Sequence, residues 1–389
     1  MSRAGTRPRW PAPSRVHRRP PHATPQMSGP ALALVGVVAV LNIIGVVMVL
    51  SASSVVSLSS YGSAWYVFER QLMWTALGAI AFVVGFRVDY QRWRQWAVPL
   101  VLLAAALCAV VLLPGVGIMV GGSRRWLGLG WVRFQPSELA KLALLVFAAD
   151  LVTRRHAEIG DWRAVARPVL MVFGTLGALV CIEPDLDSTV VLGLITVAVL
   201  VAGGLRLRHL GALAAFGAAL LAALAVAEPY RRARILVFLH PTADPSNAGY
   251  QIVQSLIALG SGGLTGVGLG EGRAKWHFLP NAHTDFVFSI IGEELGLVGC
   301  LLVLSLFLGF GLFGTAIAAR APDRFGMLLA TGVTVWVTAQ AAINIGGVTG
   351  LLPVSGIPLP FVSFGGSSLV ITMLAAGILA NVGHARTRA

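Results

Sequence analysis

The sequence predicts an all-α membrane protein of ten transmembrane helices, with two long external loops and both termini cytoplasmic. Three observations carry that prediction. Of 389 residues, 56% are hydrophobic and only 12% charged, with mean hydropathy +0.80. Apolar runs of about 18 residues or more, long enough to cross a bilayer, recur along the chain. The basic residues alternate between successive connections, as the positive-inside rule requires.

Residues 1–28 are rich in Pro, Arg and His and poor in large apolar side chains, so they predict a disordered basic tail. The membrane domain follows over 29–384, and 385–389 form a second short tail. The expected spans are 31–52, 71–87, 95–113, 137–153, 166–182, 188–204, 209–227, 286–319, 325–347 and 367–383. The first is too long for a signal-peptide core, and "SAS" at Ser51–Ser53 reads as a helix end. The eighth exceeds one crossing at 1.5 Å per residue, which predicts a bend near Gly292 or Gly296.

Six arginines from Arg3 to Arg19 place the N-terminus inside. Arg87, Arg92 and Arg94, then Arg154, Arg155, Arg163 and Arg167, then Arg206 and Arg208, then Arg320 and Arg324 mark the inner connections. The short outer connections hold almost no basic residue; Arg70 is the exception. The two longest connections, 114–136 and 228–285, therefore face outward, as do "EPDLDS" and the Pro/Gly-rich 348–366. Long loops in a membrane protein concentrate function, so the active side is the external one.

The net charge of +13 is spread between apolar runs as topology signals rather than gathered in a patch, so no nucleic-acid partner is expected. The three cysteines, Cys108, Cys181 and Cys300, lie within apolar runs and offer neither a disulfide framework nor a metal cluster. No HExxH, GxSxG with ordered partners or Walker motif is present.

Outward chemistry begins at "GGSRRWLGLGWVRFQPSELAKLALLV". Pro136 and Ser137 suit a helix start, with Ser137 as a cap. Glu138 and Lys141 share a face three residues apart, as a structural ion pair, a functional pair or both. Arg125, with Arg124 and Arg133, is suited either to an anionic headgroup or to a solvated loop. In "EPDLDS", Glu183, Asp185 and Asp187 offer oxygen ligands for a divalent cation or form a solvated loop.

The loop 228–285 breaks the positive-inside pattern with Arg231, Arg232, Arg234, Arg273 and Lys275, which favours a phosphate-bearing partner. Its glycines point to close backbone approach. In "HFLPNAHTDFVFSIIGEELG", Thr284 caps the next helix and Asp285 sits in its first turn, where the dipole favours an ionised carboxylate that can act as a general base. The bland alternative is an ordinary N-terminal acid. Glu293 and Glu294, roughly 80° and 180° around the helix from Asp285, read as bundle-orienting residues. His277 and His283 are orienters, phosphate donors or plain loop histidines. An external carboxylate beside cations on a lipid-embedded scaffold fits group transfer from a lipid-linked phosphate donor.

Three stretches, "GGSRRWLGLGWVRFQPSELAKLALLVFAADLVTRR", "GYQIVQSLIALGSGGLTGVGLGEGRAKWHFLPNAHTDFVFSIIGEELGLVG" and "TGLLPVSGIPLPFVSFGGSS", resemble in order and topology the SEDS family, the FtsW and RodA peptidoglycan polymerases. The resemblance covers residues 31 to about 383. "AHTDF" and "IGEELG" look more like FtsW, and "GIPLPFVSFGG" like some RodA chains.

The resemblance implies ten spans and polymerisation of lipid II to β-1,4-linked glycan in the bacterial inner membrane, with undecaprenyl pyrophosphate leaving. It matches Asp285 to the catalytic base and carries substrate-binding roles onto Glu138, Lys141, Arg125, Lys275, His283, Thr284, Ser367 and Ser368. It allows Mg2+ or Mn2+ beside the pyrophosphate, assigns no metal ligand among the residues and needs no organic cofactor. It implies a class B penicillin-binding protein transpeptidase and other division-complex proteins as partners. Asp187 stands where the family has Gly, which leaves that loop's role open. A RodA-like role in elongation, a lipid II flippase and a non-catalytic scaffold are the competing readings.

Overall fold

A helix of 33 residues, α1, Gly29–Tyr61, opens the computed structural model, which describes residues 27–120, 123–129, 132–206 and 249–385 and isolated positions between 209 and 240. Ser28 caps α1 by accepting the Ala31 N–H, and the helix runs past the expected stop at "SAS" to Gly62. No Gly or Pro interrupts Ser51–Tyr61, so nothing ends the helix earlier. The expected N-terminal tail, the span at 209–227 and residues 386–389 lie outside the described residues, apart from single positions.

The remaining helices are α2 Tyr66–Arg87, α3 Ala97–Leu112, α4 Pro136–Arg154, α5 Arg167–Ile182, α6 Leu186–Gly203, α7 Tyr250–Ser261, α8 Val287–Ala319, α9 Arg324–Val348 and α10 Ser367–Ala385. Among the described residues, eight helices are long and apolar enough to cross a membrane: α1, α2, α3, α5, α6, α8, α9 and α10. The protein is thus a multi-pass membrane protein.

The helix α4 differs because it carries Glu138, Lys141, Asp150 and Arg154. It is buried on nearly every side, packed against α3, α6 and α9. Its charges are satisfied by protein rather than facing lipid, the arrangement that ionisable groups inside a bilayer require. Pro136 starts it at the first turn, but Gln135 is the capping position and Ser137 does not cap. The Ser137 hydroxyl donates instead to Asp185 Oδ2 at 3.1 Å.

The connection 114–136 departs from an all-helical reading. It folds as a three-stranded antiparallel sheet, β1 Ile118–Val120, β2 Ser123–Leu129 and β3 Val132–Phe134, in the order β1-β2-β3. Short β-branched and aromatic runs separated by glycines suit such a meander.

The two ends of the bundle differ in chemistry. At one end Asp150 accepts from Arg94 at 2.9 Å and from Arg154 at 2.8 Å, and Arg324 Nη2 donates to Gly203 O at 3.0 Å. That end carries the arginines of the inner connections. The sheet, α7, the glycine-rich segment after it and the segment 350–366 gather at the other.

The helix α8 contains the expected bend, at Gly296, whose φ is 67° and ψ −162°. This conformation is essentially restricted to glycine. The break frees backbone groups, and the glycine-rich segment takes them up. Val267 N donates to Glu293 O at 3.0 Å and Gly268 N to Glu294 O at 3.1 Å. In return Leu297 N and Val298 N donate to Gly263 O and Leu264 O at 3.0 and 3.2 Å. A Cβ on Gly266 would lie 2.1 Å from Glu294 O, so only glycine permits this approach. The close backbone approach expected of these glycines is therefore to the chain's own bent helix.

Candidate active site

Two hydrogen bonds pin the backbone of Asp285. Its N–H donates to Asn281 O at 3.1 Å, within a turn where Asn281 adopts φ 57°. Asn tolerates that left-handed conformation better than most residues. Its carbonyl accepts from Asn344 Nδ2 on α9 at 2.8 Å. The helix α8 starts at Val287, two residues beyond Asp285, with no acid in its first turn and no side-chain cap. Thr284 does not cap: its hydroxyl donates to Asn281 O at 3.2 Å. Asp285 is therefore a turn residue just ahead of the helix.

Asp285 lines a cavity of about 380 Å³ at the end of the bundle that carries the sheet. Tyr61, Tyr66 and Arg70 wall it from α1 and α2, Arg125, Trp126 and Arg133 from the sheet, and Gly356, Pro358 and Phe364–Gly366 from the segment before α10. Among the described lining residues, three guanidinium groups accompany one carboxylate. Arg70 stacks over the Tyr66 ring at 4.1 Å and donates to its hydroxyl. Arg125 Nη1 lies 3.9 Å from Asp185 Oδ1.

His283 also lines the cavity, and its carbonyl accepts from Phe364 N at 3.0 Å, tying the Asp285 turn to the far wall. Burial pushes its imidazole down to about 4. At neutral pH it is an uncharged donor or acceptor, and the cavity's cations are its arginines.

Arg125, His283, Thr284 and Asp285 of the expected site thus meet in one cavity, while the other five do not line it. Lys141 is wholly buried, 2.8 Å from Glu138, with its ammonium 3.1 Å from Gln340 Oε1 and 5.2 Å from the Trp336 ring centroid. Gln340 Nε2 in turn donates to Pro358 O at 3.0 Å, so the Glu138–Lys141 pair supports the cavity wall from beneath. Ser367 accepts from Gln135 N at 3.0 Å, and Ser368 N donates to Gly365 O. Lys275 is buried and spent on Glu294 at 2.9 Å, because the docked glycine segment turns it toward the bend in α8. Ser51 of α1 joins this pair at 2.6 Å from Glu294, and Glu293 accepts from Arg273 N at 2.7 Å. The two glutamates therefore clamp the glycine segment.

"EPDLDS" is packed into the protein rather than solvated. Asp185 is buried and accepts from Gln135 Nε2 at 2.7 Å and Ser188 N at 3.1 Å, and Asp187 accepts from Gly356 N at 3.1 Å. Glu183, fully buried beside them, is pushed up to about 8, first by burial and then by Asp185. The folded chain keeps this proton where the unfolded chain loses it, between pH 4.5 and 8. Its contribution to stability falls through that window as pH rises, by about 1.4 kcal/mol per unit. Glu183→Gln cannot ionise, so its melting temperature should gain on wild type steadily from pH 5 to 8. A constant gap would show Glu183 ionising as in water.

Arg70, Gln340 and Asn344 escaped sequence reasoning. Arg70 had a signal, as the one basic residue of the first outer connection. Gln340 and Asn344 also had one: two amides four apart in an apolar span lie on one helix face.

The family model described as "Cell cycle protein", FtsW/RodA/SpoVE, matches residues 31–388. The chain belongs to the FtsW/RodA/SpoVE family. A Geobacter metallireducens relative named probable peptidoglycan glycosyltransferase FtsW is 40% identical over 322 residues, 83% of this chain and 86% of that one. Stage V sporulation protein E of Bacillus subtilis is 42% identical over 324 residues, 83% of this chain and 88% of its own. A chain from a solved peptidoglycan synthase complex, described as coordinating polymerization and crosslinking, superposes with TM-score 0.74 at 31% identity, covering 91% of this chain and 98% of that one. The Thermus thermophilus rod shape determining protein RodA does so with TM-score 0.67 at 30% identity, covering 91% and 96%. The bundle of this FtsW/RodA/SpoVE chain is thus the family fold, with the Asp285 cavity at the end that carries the sheet.

Proposed function

We propose that this chain is a peptidoglycan glycosyltransferase that polymerises lipid II into β-1,4-linked glycan on the outer side of the bacterial inner membrane. The observation that carries the reading is that one carboxylate and three guanidinium groups share one cavity among the described lining residues. Asp285 takes the proton of the acceptor sugar's 4-hydroxyl. The freed oxygen attacks the anomeric carbon of the lipid-linked growing chain from the face opposite the pyrophosphate. The bond to pyrophosphate breaks, its electron pair leaves with undecaprenyl pyrophosphate, and the anomeric centre inverts. Arg70, Arg125 and Arg133 hold the diphosphate and offset the charge it gains.

Mg2+ or Mn2+ enters this proposal only as a companion of the diphosphate. The described lining supplies one carboxylate, and no group of three or more His, Cys, Asp or Glu converges among the described residues. These residues do not fit a protein-held metal, and no step is routed through one. The reaction as written needs no organic cofactor.

The partner we propose is a class B penicillin-binding protein transpeptidase, because the similar solved chain belongs to a complex that couples polymerization with crosslinking. A role in septal synthesis beside other division proteins is favoured over elongation, because curated relatives at 37–43% identity carry the name FtsW. The test is labelled lipid II given to the purified protein with its transpeptidase partner, with and without Mg2+ or Mn2+. Glycan ladders that the partner alone does not make are expected. Transbilayer movement of lipid II without any ladder would replace this reading with a lipid transporter.

A further inference from the structure

We propose that Asn344 is a positioning residue for the reaction, holding Asp285 at a set place against the cavity wall formed by residues 356–358. The inference rests on the reading of Asp285 as the base. It starts from two carbonyls that meet at one side-chain amide. The hydrogen-bond ladder of α8 begins one residue after Asp285, with Phe286 O accepting from Ser289 N and Ile290 N. The Asp285 carbonyl is thereby left outside the helix. In the wall beside it, "GIPLP" cannot form helix or sheet, since two prolines remove donors and hold the chain extended. Its carbonyls also need donors from elsewhere.

One amide meets both needs. Asn344 Nδ2 donates to Asp285 O at 2.8 Å and to Ile357 O at 2.8 Å. Asn344 is 1% exposed, so water does not compete for either bond. Ile357 lies between Gly356 and Pro358, both of which line the cavity. A single side chain on α9 therefore sets the spacing between the base and the wall against which substrate must sit.

Gln340, one turn earlier on the same face, provides an internal comparison. It holds the adjacent carbonyl, Pro358 O, at 3.0 Å and has no hydrogen bond to Asp285. A general base must lie within hydrogen-bond reach of its proton, and a displacement near 1 Å can lower turnover about 100-fold without weakening binding.

The experiment measures kcat and KM for lipid II, with the melting temperature in detergent, for Asn344→Ala, Asn344→Gln, Asn344→Asp and Gln340→Ala beside Asp285→Ala. Asn344→Ala should lose about 100-fold in kcat with KM within about 2-fold. Asn344→Gln, which restores a donor, should recover to within about 10-fold of wild type, and Asn344→Asp, which sets carboxylate oxygens against two carbonyls, should be at least as slow as Asn344→Ala. If Asn344→Asp fails to fold, Asn344→Ala and Asn344→Gln still decide. Gln340→Ala should melt lower yet keep kcat within about 10-fold.

A wild-type kcat in Asn344→Ala overturns the proposal. So does an equal kcat loss in Gln340→Ala, or a loss in Asn344→Ala that Asn344→Gln does not recover. If Asp285→Ala itself polymerises normally, the reading of Asp285 falls instead. An inactive Asp285→Ala beside a fully active Asn344→Ala removes this inference alone.

Discussion

Asp285→Ala should abolish glycan ladders, lowering kcat by about 10²- to 10⁴-fold, the range lost when a general base is removed. Asp285→Asn should fall as far, since it keeps the shape but cannot take a proton. Binding should survive. The three arginines of the cavity remain, and removing the one lining carboxylate leaves their field on a diphosphate undiminished or stronger. KM for lipid II should therefore stay level or fall while kcat collapses, which separates lost chemistry from lost binding. Folding should also survive, because the backbone bonds to Asn281 and Asn344 do not involve the deleted carboxylate. Ladders at the wild-type rate from Asp285→Ala would end its assignment as base.

The second large effect is on stability and falls at Gly296→Ala. The residue has φ 67° and ψ −162°, where a side chain is strained before any contact is made. A Cβ there would lie 2.3 Å from Gly266 N and 2.5 Å from Leu264 O. Relief requires the glycine segment to lift from α8, which breaks the four backbone bonds of residues 263–268 and pulls Lys275 away from Glu294. Strain and contact together cost about 3 kcal/mol or more, a drop of roughly 4 °C or more in melting temperature. Activity should fall with it, because the same segment continues into the Asp285 turn. Gly174→Ala makes the control: nothing lies within 4 Å of its Cβ position in α5, so it should melt at or above wild type. Wild-type melting in Gly296→Ala would show that the bend is not held by these contacts.

Much of the architecture was legible because bilayer physics writes directly into composition. Apolar run lengths set most of the helices, arginine alternation separated the two ends, and the excess length of 286–319 announced the bend at Gly296. That Asp285 lies near cations was legible from its place after a cationic loop, but its position ahead of the helix rather than in the first turn was not. The contacts of Lys275 were not. Its charge suited a phosphate, but its partner is a glutamate 19 residues on, brought near only when glycines dock on a broken helix. The roles of Glu138 and Lys141 were half legible: spacing showed the pair, while Gln340 and Pro358, which complete it, come from 199 residues away and beyond. The sheet at 114–136 was hidden because its short strands carry too little periodicity to stand out. Asn344 was hidden because carbonyls freed by prolines and by a late helix start have no side-chain signature.

The bend in α8 also bears on how the protein meets bilayers of different thickness. Below Gly296, residues 297–319 span roughly 34 Å, slightly more than the roughly 30 Å hydrocarbon layer. Thicker or thinner lipid is accommodated by tilt of such a segment. Above Gly296, the segment leading back to Asp285 is lashed to the glycine loop and to α9, and the loop bridges the break through Leu297 and Val298. A tilt of the crossing is therefore passed on to the segment that leads to Asp285, so turnover should vary with the acyl-chain length of the surrounding lipid.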